Sequence, residues 1–136
     1  MNEPARGKTS SIAQLYVILG EPQPFMYAKA STPRYHMMLR KAKMTYTNQL
    51  WDQHDGKEIY SGPLKMDVTF YVASVPSVLR ETPHHVYRPS LNDLQKYLEK
   101  VIEGILILDH CIITSITSRK VYDKDNPRTE FTITEL

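Results

Sequence analysis

RPSLNDLQKYLEKVIEGILILDH, residues 88–110, decides how this chain folds. It opens on a basic residue and a proline, passes through a polar run and becomes a helix with an apolar stripe. Leu94, Leu98, Val101 and Ile105 stand at i, i+4, i+7 and i+11, which is one helix face. The spacing predicts a helix from Leu91 to Ile105. Ser90 or Asn92 can cap its start by offering a side-chain oxygen to the orphan amides of the first turn. Gly104 sits where such a helix ends. The apolar run ILIL (105–108) then turns at once into an extended piece, and DHC (109–111) makes a corner.

On either side of this stretch the period changes from helical to alternating. LKMDVTFYV (64–72) puts Met66, Val68, Phe70 and Val72 on one side and Lys65, Asp67, Thr69 and Tyr71 on the other, the pattern of a strand with one buried face. QLYVIL (14–19) reads as a shorter strand, ended by GEPQP. IITSITSRKVY (112–122) and RTEFTITEL (128–136) read as two further strands around the turn DKDNP (123–127), placed to form a C-terminal hairpin. Residues 31–51 hold Pro33 after the cap-like Ser31 and Thr32 and then no proline or glycine, so they read as a helix. Met38, Ala42, Thr45 and Leu50 are its candidate buried face. Residues 54–63 and 73–90 read as loops, the second long enough and proline-rich enough for a functional role. The order β, α, β, α, β, β predicts a single α+β domain: a mixed, mostly antiparallel β-sheet packed against two main helices. Residues 1–11 read as a flexible tail before a domain of residues 12–136.

Composition narrows the class. With 136 residues and 41% apolar content the chain can build one real core. Its longest apolar run, Val101 to Leu108, is interrupted and far too short to span a bilayer. A polar N-terminus without an apolar stretch behind it and a single cysteine, Cys111, point to a cytoplasmic protein. The formal net charge is only +2, so the position of the charges matters more than their sum. Residues 27–43 hold Lys29, Arg34, Arg40, Lys41 and Lys43 with no acid, and tyrosines 27, 35 and 46 interleave with them. Such a segment suits phosphate contact, and equally a solvated helix face. Zinc-ligand spacings, phosphate-cradling glycine loops and dinucleotide fingerprints are absent from the sequence.

The motif itself resembles the RusA-type Holliday junction resolvases, small endonucleases common in phages and prophages. Their central motif reads basic-Pro-Asp-Leu-Asp-Asn-Leu-x-Lys at a helix start, with two adjacent acids about a dozen residues after the lysine. Here the same positions read Arg88-Pro89-Ser90-Leu91-Asn92-Asp93-Leu94-Gln95-Lys96, then Asp109-His110. GEPQP with the basic stretch after it, and SGPLKMDVTFYV, resemble the family's first two strand regions, so the likeness runs over residues 14–136. The resemblance implies a homodimer that binds branched DNA in recombination and repair and cuts it with magnesium or manganese. It also implies that Ser90, Asn92 and His110 stand where the family has acids.

Those three departures fall on the chemistry. Phosphodiester hydrolysis by a hard divalent cation needs oxygen ligands, chiefly carboxylates. Ser90 and Asn92 offer only neutral oxygens, and His110 offers nitrogen, which suits zinc, manganese or iron better than magnesium. Asp93 lies about 100° round the helix from Asn92. The candidate catalytic set is therefore Asp93, Lys96, Asp109 and His110, with Asn92, Asp93, Asp109 and His110 as candidate metal ligands. Lys29, Arg34, Arg40, Lys41, Arg88 and Lys96 are the candidate DNA contacts. Glu99 and Glu103 lie further down the helix, and Glu103, seven residues beyond Lys96 and so on a similar face, is a possible replacement acid. His84 and His85 precede the motif, but adjacent side chains diverge. Cys111 reads as a small buried filler. The functional expectation is a junction-binding protein with weakened or lost cleavage. The alternative is a non-catalytic junction-binding or protein-interaction module on the same fold.

Overall fold

A computed structural model describes residues 12–23, 33–73 and 89–136, apart from the side chains of Tyr35, Met38, Leu39 and Ala42. Expectations for the tail, for Lys29, for His84 and His85, and for Arg88 lie outside the described residues.

The alternating strand takes the middle of the molecule. Strand β2 (Leu64–Val72) buries Leu64, Met66, Val68, Phe70 and Val72 on its inner face. It is flanked by β3 (Ile113–Tyr122), which it pairs in parallel, and by β4 (Arg128–Glu135), which it pairs antiparallel. Strand β1 (Gln14–Leu19) closes the sheet by pairing antiparallel with β4, giving the order β1-β4-β2-β3. The sheet is thus mixed and mostly antiparallel, as the sequence suggests.

The C-terminal hairpin takes a split form. β3 and β4 are consecutive and run in opposite directions, but β2 lies between them and hydrogen-bonds to both. Their connection crosses the end of β2, where Asp123 N donates to Val72 O at 2.9 Å. The Asp123 carboxylate accepts from the amides of Asp125 and Asn126, both at 3.1 Å, and from Arg128 at 3.1 Å. The parallel β2–β3 pair needs a long crossover, and the helix of the motif supplies it.

That helix, α2 (Leu91–Ile102), follows a longer helix α1 (Pro33–His54). The two pack against each other and share one core with the sheet: Leu50, Leu94, Leu98, Val101 and Ile102 meet Tyr16, Met66, Val68, Phe70 and Phe131. α2 begins as expected, with the Ser90 hydroxyl accepting from Asp93 N at 3.2 Å. It ends at Ile102, three residues before the apolar stripe does, because Gly104 turns the chain at φ +88°. Ile105, Leu106 and Ile107 remain buried past that turn. They are pinned by Tyr60, whose N–H donates to Leu106 O and whose carbonyl accepts from Leu108 N, each at 2.8 Å.

The buried face of α1 corrects the sequence reading in part: Leu50 is buried as expected, and Met38 and Ala42 are outside the described side chains. Thr45 is exposed, and the face that packs carries Tyr46, Leu50, Gln53 and His54. An apolarity pattern cannot reveal this face, because its polar groups are buried with partners. His54 Nε2 donates to Glu58 O at 2.8 Å, so Nδ1 accepts the Tyr16 hydroxyl at 2.7 Å, and Tyr60 OH joins Tyr16 OH at 3.1 Å. Burial raises the Tyr16 phenol, and Tyr60 adds to the shift. Gln53 reaches the outer edge of β1 and satisfies both backbone groups of Val17, accepting from its N–H at 2.6 Å and donating to its carbonyl at 2.8 Å. Gln49 accepts from Leu19 N at 2.7 Å in the same manner.

Candidate active site

The motif residues are held by α2, and the structure places them at its two ends. At the N-terminal end Ser90 serves as cap, Asn92 is exposed and Asp93 is half-buried. Lys120, near the C-terminal end of β3, donates to Pro89 O at 2.7 Å and ties this end to the sheet. Midway, Ser118 donates to the Gln95 side chain at 2.9 Å. The other end of α2 meets the corner before β3. There Glu103 accepts from the backbone N–H of His110 at 2.9 Å and contacts His110 Nδ1 at 2.8 Å. His110 Nδ1 is 3.7 Å from Asp109 Oδ1, and Lys100 Nζ is 3.8 Å from Glu103. A helix of 12 residues is ~18 Å long at 1.5 Å per residue. One copy of the chain therefore does not gather Asn92 and Asp93 with Asp109 and His110.

The C-terminal end is the richer one. Asp109 caps a single 3₁₀ turn, His110–Ile112, and its Oδ1 accepts from Cys111 N at 2.7 Å. Cys111 is exposed and not a buried filler: it lies in a turn with no buried residue, leading into the half-exposed strand β3. The hydrogen bonds from the Cys111 backbone and then its thiol hold the Asp109 carboxyl below the usual carboxylate range. The same carboxylate pushes the Cys111 thiol up. Glu103 is also lowered, chiefly by the His110 backbone N–H and, after the opposing effect of burial, by the His110 ring. A cleft of about 310 Å³ opens beside this cluster, lined by Lys96, Glu99, Lys100 and His110. Lys96 thus shares a cleft with His110, while Asp93 is not among the residues lining it.

A family model for endodeoxyribonuclease RusA matches residues 19–134, most of the chain. The chain belongs to the RusA endodeoxyribonuclease family. No curated protein matches it. The family supports a Holliday junction resolvase-type nuclease, and RusA nucleases generally depend on a divalent metal.

Against the RusA motif, the residues present do not fit magnesium. Ser90 Oγ is engaged as a helix cap, and Asn92 brings no charge. At the other end the carboxylates of Asp109 and Glu103 flank an imidazole and a thiol, whereas magnesium is held by oxygen donors alone. Arg34, Arg40 and Lys41 are exposed on α1, as phosphate contacts need to be. Lys43 is half-buried and donates to the Glu103 carbonyl at 2.7 Å, which lowers its ammonium pKa through burial and fastens α1 to the C-terminal end of α2. Arg40 and Lys41 lie within one helical turn of this contact. Glu103 is the site residue the sequence showed least clearly: its spacing of seven from Lys96 was the signal, and nothing in the string pointed to its contact with His110. Among the described residues, no helix is long and apolar enough to cross a membrane.

Proposed function

We propose that this chain binds branched DNA as a homodimer, with the four-way junction as its substrate, and cleaves it weakly or not at all in magnesium. The carrying observation is the α2 cleft. Lys96 and Lys100 line it, while the motif's carboxylate positions hold Ser90, Asn92 and His110. Two-fold symmetry suits a four-way junction, which presents paired strands. The ends of α2 stand too far apart for one cation in one copy, so an ion joining both sets needs two copies.

In this reading Lys96, Lys100, Arg34, Arg40, Lys41, Lys29 and Arg88 meet phosphates. Lys96 is the residue placed to steady a phosphate near Asp109 and His110. Such contacts release counterions, so log affinity falls linearly and steeply with log salt. The test is a synthetic mobile four-way junction incubated with the full chain, with binding and nicking read separately in magnesium and in manganese. The expected result is salt-sensitive binding with little nicking. Robust chelator-sensitive cleavage in magnesium would overturn the weakened-nuclease reading. An affinity unchanged between low and physiological salt would overturn the DNA-binding reading.

A further inference from the structure

The corner between α2 and β3 sets three kinds of donor side by side. Asp109, His110 and Cys111 are all exposed, and one ligand atom from each lies within 4.8 Å of the others. The 3₁₀ turn brings this about: it folds the Asp109 carboxylate over the Cys111 amide. Glu103 backs the imidazole at 2.8 Å, as carboxylates do behind metal-bound histidines.

We propose that Asp109, His110 and Cys111 form a site for a zinc-class transition metal and not for magnesium. Bonds of about 2.0–2.3 Å in a tetrahedral site put ligand atoms roughly 3.3–3.8 Å apart. Closing from 4.8 Å takes about 1 Å of movement, which rotation of exposed side chains supplies. Thiolate and imidazole select borderline and soft ions, while magnesium gains little from either. Three protein ligands leave a fourth position open, as zinc sites that act on bound molecules do. On binding, the thiol proton passes to solvent and sulfur becomes a thiolate ligand. Glu103 adds a third negative charge, after the Asp109 carboxylate and the Cys111 thiolate, and Lys100, 3.8 Å from Glu103, moderates it. The site borders the Lys96–Lys100 cleft, and in this respect the inference rests on the junction-binding reading, since a phosphate in that cleft lies next to the ion.

Cobalt(II) is the probe, titrated into the full-length apo protein. A thiolate–cobalt bond gives a near-ultraviolet charge-transfer band. The chain has a single cysteine, so any such band belongs to Cys111. The expected result is one cobalt per chain with this band, displaced by zinc and untouched by a large excess of magnesium. Cys111→Ser removes the band, and His110→Ala weakens binding by at least about tenfold. Both residues are exposed, and circular dichroism confirms that the variants fold. Absence of the band in the wild type overturns the site. So does a cobalt spectrum that survives both substitutions, or one cobalt per two chains, which marks an ion bridging copies. Junction binding is measured on the same samples. Binding without the band removes this inference alone, and the band without junction binding removes the function proposed above alone.

Discussion

The two ends of α2 are made by different physics. The N-terminal end is local: Ser90 and Asp93, three residues apart, close a cap within a single turn. The C-terminal end is assembled from distant pieces. Lys43 arrives from α1, Glu103 from the helix terminus, and Asp109 to Cys111 from the corner beyond a glycine. A resolvase motif read as one string merges these ends. Along the axis, Asp93 stands nine rises, about 14 Å, from the last helical residue, and the chemistry available at each end differs: neutral oxygens and one acid at the first, mixed oxygen, nitrogen and sulfur at the second.

The strongest way to break that contrast is to restore the RusA acids at both ends. Ser90→Asp, Asn92→Asp and His110→Asp with Asp93→Asn is expected to raise magnesium-dependent nicking of a four-way junction by at least about tenfold. The first end alone, or His110→Asp alone, is expected to do little, since an ion joining the two ends across two copies needs the carboxylates of both. Added magnesium or manganese should also raise the melting temperature of the full variant by mass action. A folded variant that neither binds metal nor nicks would mean that the cleft itself has diverged.

Stability measurements sharpen the same contrast. Gly104→Ala forces an alanine to φ +88° and is expected to cost about 1–3 kcal/mol in urea unfolding, with loss of the Glu103–His110 contact. Ser90→Ala removes only the local cap and is expected to cost about 1 kcal/mol, leaving the far end intact. The smallest effect is electrostatic. The folded-state pKa of Glu103 is depressed, so the unfolded chain binds more protons as pH falls. Its contribution is complete above the ordinary glutamate value of about 4.3 and is lost as pH drops through the lower folded value. Glu103→Gln should therefore lower stability modestly at neutral pH, match the wild type below the folded value, and so flatten the acid limb of the stability–pH curve. An unaltered acid limb would show that the His110 contact does not persist in solution.

What the sequence made legible follows the range of the interaction. The Met66, Val68, Phe70, Val72 alternation and the Leu94, Leu98, Val101, Ile105 stripe are local periodicities; the strand forms where the first predicts it, and the helix forms from Leu91 but stops at Ile102, three residues short. The insertion of β2 between β3 and β4 is a long-range choice of partner and leaves no trace in either strand alone. The packing face of α1 was hidden because buried Gln53 and His54 satisfy their polar atoms against β1 and the loop after the helix. Cys111 misled for the opposite reason: a residue type usually found inside sits on an exposed turn. The candidate site was half legible. Lys96, midway along α2, shares a cleft with His110, which neighbours Asp109, and the motif string gave no measure of the distance to Asn92 and Asp93.

Gln53 has a consequence for assembly. Its carboxamide presents one donor and one acceptor to Val17, as a peptide unit of a neighbouring strand would. With Gln49 on Leu19, it ends the ladder along this border of the sheet. Foreign strands that would otherwise extend β1, the route by which sheets recruit copies of themselves into aggregates, meet a ladder already terminated by side chains. Glutamate at position 53 would replace the donor facing Val17 O with a second acceptor, reopening that border to recruitment.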